Sequence, residues 1–81
     1  MAINRKIKLI WDFNGPDAEG IAKHHAIHLN DYKLAEQDDT IINCDYEKVS
    51  ENNYIAFLIT HQSEMVRLRD KLLPKRGVFI E

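Results

Sequence analysis

Between Arg5 and Glu36 the spacing of apolar residues changes once, at Asn14-Gly15-Pro16-Asp17, and that change limits what the chain can fold into. Before it, Arg5–Phe13 alternates. Ile7, Leu9, Trp11 and Phe13 point one way and Lys6, Lys8, Ile10 and Asp12 the other, the period of a half-buried strand. After it, the spacing predicts a long helix over Pro16–Glu36, opened by a polar cap, Gly and Pro, with Asp17 and Glu19 at the positive end of the helix dipole. Ala18, Ala22, His25, Leu29 and Tyr32 form its buried stripe, with Ile21 and His28 along the edge. His24 and His28 share a flank, and Ile27 and Leu34 lie on the opposite side.

The remaining chain supplies three more strands and a second helix. Ile41–Glu47 and Tyr54–Thr60 read as strands joined by the Ser- and Asn-rich turn Lys48–Asn53. The pairing that best separates apolar from mixed faces sets Ile42, Cys44 and Tyr46 beside Ile59, Phe57 and Ile55. Ser63 opens a helix that runs to Leu73 on a stripe of Met65, Leu68 and Leu72 and stops before Pro74. Val78–Ile80 closes the chain as a short strand after Gly77. With right-handed crossovers, strand-helix-strand-strand-helix-strand predicts an α+β ferredoxin-like α/β plait (βαββαβ). That fold is a single domain over residues 1–81, a four-stranded antiparallel sheet in the order 4-1-3-2 with two helices on one face. The other face would then carry Lys6, Lys8, Ile10, Asp12, Asp45, Ala56, Leu58 and Phe79.

An 81-residue chain buries only roughly 60–65% of its unfolded surface, so a half-apolar open sheet face predicts a homodimer, or a small-molecule or protein partner. Eleven cations against thirteen anions give a net charge of −2, which provides no general attraction to nucleic acid or to an anionic membrane. RNA-recognition domains share the strand order. Their basic, glycine-containing aromatic run is missing from Asn53–Leu58, so nucleic acid is not expected. No apolar run is long enough to span a bilayer, and Arg5, Lys6 and Lys8 alternate with apolar residues instead of forming a secretory leader. Cys44 is the only cysteine, so no intrachain disulfide forms and a cytoplasmic location is expected.

Two constellations of chemistry-bearing residues stand out. His24 and His28, one helical turn apart, have the spacing by which two imidazoles hold one zinc or nickel ion, although no third ligand stands nearby and no resident cofactor is expected. Taking the first and third strands as parallel neighbours places Asp12 and Asn14 at the same end as His61 and Ser63, where both helices begin. Helix N-termini there would favour a small anion, with Asp12 opposing it. Cys44 lies among apolar neighbours without a basic partner and is expected to be inert. The reading that follows is a non-catalytic homodimeric ligand- or protein-binding module. The alternatives are an enzyme of the dimeric α/β-barrel kind, in which His28 and Asp12 would serve as acid–base groups, and a metal-binding protein using His24 and His28.

Overall fold

The computed structural model describes residues 5–80. Its elements are β1 (Lys6–Asn14), α1 (Ala18–Glu36), β2 (Asn43–Ser50), β3 (Asn53–His61), α2 (Met65–Leu72) and β4 (Arg76–Ile80), with one 3-10 turn at Gln62–Glu64. The sheet order is β2-β3-β1-β4 and every neighbouring pair is antiparallel. Leu29 of α1 and Leu68 of α2 join one core cluster with Ile7, Leu9, Trp11, Ala56 and Leu58, so both helices cover the same sheet face. This is the ferredoxin-like plait.

β1 divides its side chains as its alternation predicts. Ile7, Leu9 and Trp11 pack under the helices, and the Trp11 indole N–H donates to the Leu72 carbonyl at 3.2 Å, occupying one of the orphan carbonyls at the end of α2. α1 begins two residues later than Pro16, because Gly15 takes a left-handed φ of 109° and its N–H donates to the Asn52 carbonyl at 2.8 Å. That bond ties the β1–α1 corner to the β2–β3 turn. The helix lies close to the sheet on Ala18, Ala22, Ala26 and Leu29. His25 sits beside that stripe, half-buried, with its ring centroid 4.9 Å from Trp11 and 5.6 Å from Phe13.

At its end α1 closes on Gln37 in the left-handed conformation, and the N–H groups of Gln37 and Asp38 return to the Leu34 and Lys33 carbonyls. Ser63 falls inside the 3-10 turn, and α2 proper starts at Met65. α2 ends before Pro74 as expected, and Leu73 closes it as a left-handed cap at φ 54°, ψ 56°, its N–H donating to the Arg69 carbonyl at 2.9 Å.

The β2–β3 register differs by one residue from the expected pairing. Cys44 faces Leu58, Asp45 faces Phe57, Tyr46 faces Ala56 and Glu47 faces Ile55. β3 lies at the centre of the sheet and is apolar on both sides, so a slip of one residue meets no polar veto. The decision falls to other residues. Ala56, the smallest side chain of the strand, stands opposite Trp11 beneath α1. The turn at Glu51-Asn52, with Asn52 at φ 62°, and the bulge between Lys48 and Ser50 then set β2 against it. Ala56 and Leu58 therefore belong to the helix side, and Ile55, Phe57 and Ile59 to the open side. Phe79 also moves, since it pairs with Ile7 and so shares the helix side.

Candidate functional site

The antiparallel pairing of β1 with β3 separates residues that a parallel pairing would have brought together. Asn14 stands opposite Asn53, while His61 stands opposite Lys6 at the far end of β1. With about 3.3 Å per residue, the two ends lie about 26 Å apart. Asp12 and Asn14 thus share no pocket with His61 and Ser63. Asp12 points to the open side, where its carboxylate accepts two bonds from the Arg76 guanidinium at 3.1 and 3.2 Å. His28 lies on α1, on the other side of the sheet, and is exposed. The sheet therefore stands between the two acid–base candidates. His61 is half-buried, with a buried Nδ1 that has no hydrogen-bond partner.

His24 and His28 do meet. Their Nε2 atoms are 2.9 Å apart, one imidazole donating to the other, with the rings edge to face at 4.4 Å. Among the described residues, no third His, Cys, Asp or Glu completes a metal-binding group with them. Beside the pair, burial first and then the charges of His28 and His24 hold the His25 imidazole below its ordinary pKa of 6.5, and its buried Nε2 has no partner. The Cys44 thiol is buried, and burial pushes its pKa up to about 11 against a smaller opposing pull from Lys33. Such a thiol is protonated and unreactive at neutral pH.

Two surfaces emerge from the tertiary arrangement. The first is the open sheet face. Ile10, Ile55, Phe57 and Ile59 form its apolar centre and Val78 its β4 edge. Long charged side chains lie across that centre. Lys8 Nζ sits 4.2 Å over the Phe57 ring and reaches Glu47 on the far strand at 3.1 Å, and Arg76 reaches Asp12 beside Ile10. Their aliphatic stems cover much of the apolar surface, and Ile10 is only 3% exposed. On this face β2 carries the acids Asp45 and Glu47, β4 carries Arg76, and β1 carries both signs, Lys6 and Lys8 with Asp12.

The second surface is a groove on the helix side. α2 spans eight residues and buries only Leu68, so it leaves the sheet uncovered toward β4. The resulting cavity of about 320 Å³ is walled by Met65 and Arg69 of α2, by Pro74 and Lys75, and by Gly77 and Phe79 of β4, with Ile7 and Leu9 as its floor. The sequence held one cue to it, Gly77, expected just before the final strand; β4 starts at Arg76 instead and sets Gly77 opposite Leu9. Comparison with protein-family models, with curated proteins and with solved structures finds no match to this chain. Among the described residues, no helix is long and apolar enough to cross a membrane.

Proposed function

We propose that this chain is a non-catalytic binding module that works as a homodimer, two copies meeting through their open sheet faces. The observation that carries the reading is the pattern of that face: an apolar centre of Ile10, Ile55, Phe57 and Ile59 with the acidic strand β2 along one edge and Arg76 of β4 along the other. A two-fold axis running along the strands sets β2 of one copy over β4 of the other and β3 over β1. Asp45, level with Ile10 and Arg76 across the sheet, then meets Arg76 of the other copy, so the two edges of the face are complementary. The non-catalytic part rests on the separation of His28 from Asp12 by the sheet and on the buried, protonated Cys44 thiol.

Sedimentation equilibrium tests the assembly. The chain is expected to be dimeric well below about 0.5 mM, and Phe57→Lys or Val78→Lys to be monomeric with an unchanged circular dichroism spectrum. Leu34→Lys, on the outer side of α1, should leave the dimer intact. A wild-type chain that stays monomeric at about 0.5 mM refutes the reading.

A second reading has one observation of its own, the 2.9 Å approach of the His24 and His28 Nε2 atoms. The two imidazoles would hold two positions of a zinc, nickel or copper ion, and water or a partner's side chain would supply the others. Equilibrium dialysis of the wild type against the His24→Ala/His28→Ala double variant tests it, and equal metal uptake by both excludes the site.

A further inference from the structure

We infer that the groove between α2 and β4 is a binding site for a medium-chain alkyl monocarboxylate. Its volume of about 320 Å³ stands at the lower end of the range of ligand pockets, roughly 300–1,000 Å³. At about 30 Å³ per water-sized group, that space takes a chain of about eight to ten carbons. The lining is apolar along its length and cationic at its rim. Ile7 and Leu9 form the floor, Met65 and Phe79 the walls, and no acidic side chain lines the groove.

The rim supplies the carboxylate partners. Arg69 is half exposed and makes only a 3.4 Å contact with the adjacent Asp70. Lys75 makes no ion pair among the described residues, and its backbone N–H is anchored by donation to the Ile10 carbonyl at 2.9 Å. The third cation of the lining, Arg76, is committed to Asp12 on the other side of the sheet. Phe79 is 42% exposed at the groove edge with the Arg5 guanidinium 4.0 Å above its ring, and an alkyl tail would cover that apolar surface. Gly77 keeps the floor open. A Cβ there would stand 3.2 Å from Ile7 Cδ1 and 3.3 Å from Leu9 Cδ2, so any longer side chain presses on the floor and projects into the groove.

The test is a titration of the full 81-residue chain with sodium octanoate, followed by amide NMR shifts and by calorimetry. Saturable shifts are expected at Ile7, Leu9, Met65, Gly77 and Phe79. Affinity should rise about fourfold per added CH₂ from hexanoate to octanoate. 1-Octanol, which has the tail without the charge, should bind several-fold more weakly. The surface double variant Arg69→Glu/Lys75→Glu should bind octanoate at least tenfold more weakly while keeping its fold. Gly77→Leu should abolish binding, and the double variant decides the matter if that change perturbs β4. The monomeric Phe57→Lys variant should bind octanoate as tightly as the wild type, because the groove lies across the sheet from Phe57. Any of three results overturns the inference: no saturable shift up to about 10 mM, shifts confined to Ile10, Phe57 and Ile59, or octanol binding equal to octanoate.

Discussion

Removing the Asp38 carboxylate should loosen the hold on α2, the wall of the groove, without touching the groove itself. Asp38 follows α1, and its side chain is only 8% exposed. It accepts from the Thr40 backbone N–H at 3.0 Å, from the Thr40 hydroxyl, and from the Arg67 guanidinium at 2.8 Å. Thr40 is held in turn by the fully buried Thr60, whose hydroxyl donates to the Thr40 carbonyl at 2.8 Å. One carboxylate thus fastens the α1–β2 loop to α2, a helix that buries a single residue of its own.

Hydrogen bonds to a charged group contribute about 1.5–3 kcal/mol net, and a half-exposed ion pair such as Arg67–Asp38 adds about 0.2–1 kcal/mol. Asp38→Ala should therefore cost about 2–3 kcal/mol. A domain of this length has a total of roughly 4–12 kcal/mol, so its melting temperature should fall by about 10–20 °C. Arg67→Ala should cost about 0.5–1 kcal/mol, with a coupling energy of similar size in the double-mutant cycle. Urea titration followed by circular dichroism measures all three. A loss below about 0.5 kcal/mol for Asp38→Ala refutes the reasoning, as does a larger loss for Arg67→Ala than for Asp38→Ala. The second outcome would place the energy in the packing of the Arg67 stem. Burial alone would raise the Asp38 pKa, but the bonds from Thr40 and Arg67 outweigh it and hold the pKa below its ordinary 3.8. This contribution is complete above that value and is lost as pH falls through the folded one, so Asp38→Ala should remove part of the acid-unfolding slope below about pH 4.

Three further outcomes are expected. Leu58→Lys places an ammonium at a fully buried core position and should cost about 4 kcal/mol or more, whereas Phe57→Lys one residue away should leave the fold intact; equal effects in urea titrations would contradict the β2–β3 register. The folded state holds the His25 pKa below 6.5, so the unfolded chain binds the extra proton first; stability should be steady above about pH 7 and fall as pH drops through 6.5, and His25→Phe should flatten that fall in thermal melts. With its thiol pushed up to about 11, Cys44 should stay silent toward a disulfide reagent at pH 8 until the chain is unfolded in urea, and rapid native-state labelling would show that the thiol is not buried.

The elements whose sequence period matched a single buried face were legible. β1 needs one apolar side, and Ile7, Leu9 and Trp11 supply it with Lys6, Lys8 and Asp12 opposite. The left-handed Gly15 and the residue before Pro74 each marked a helix boundary to within two residues. His25 was expected inside the α1 stripe, but three alanines bring the helix so near the sheet that a ring fits only beside them, against Trp11 and Phe13. Asp12 and Asn14 would join His61 only if β1 and β3 ran parallel; in this strand order each central strand runs against its neighbours, so the end of β1 meets the start of β3.

The one-residue register of β3 matters most for function. Asn53–His61 is apolar toward both sides, so its composition alone permits either assignment. If Ala56 and Leu58 faced outward, the open face would show little apolar surface and the helices would rest on Phe57. With Ala56 beneath α1, Phe57 lies outward under Lys8, and the Lys8–Glu47 and Asp12–Arg76 pairs cross the open face. A residue chosen for its small size against Trp11 thereby sets the character of the opposite surface. The same packing decides the groove: β4 approaches Leu9 through Gly77, and the short α2 cannot reach over it. Both candidate surfaces are consequences of side-chain size at single positions beneath the helices. A substitution at Ala56 should therefore disturb the open face although its side chain never reaches it.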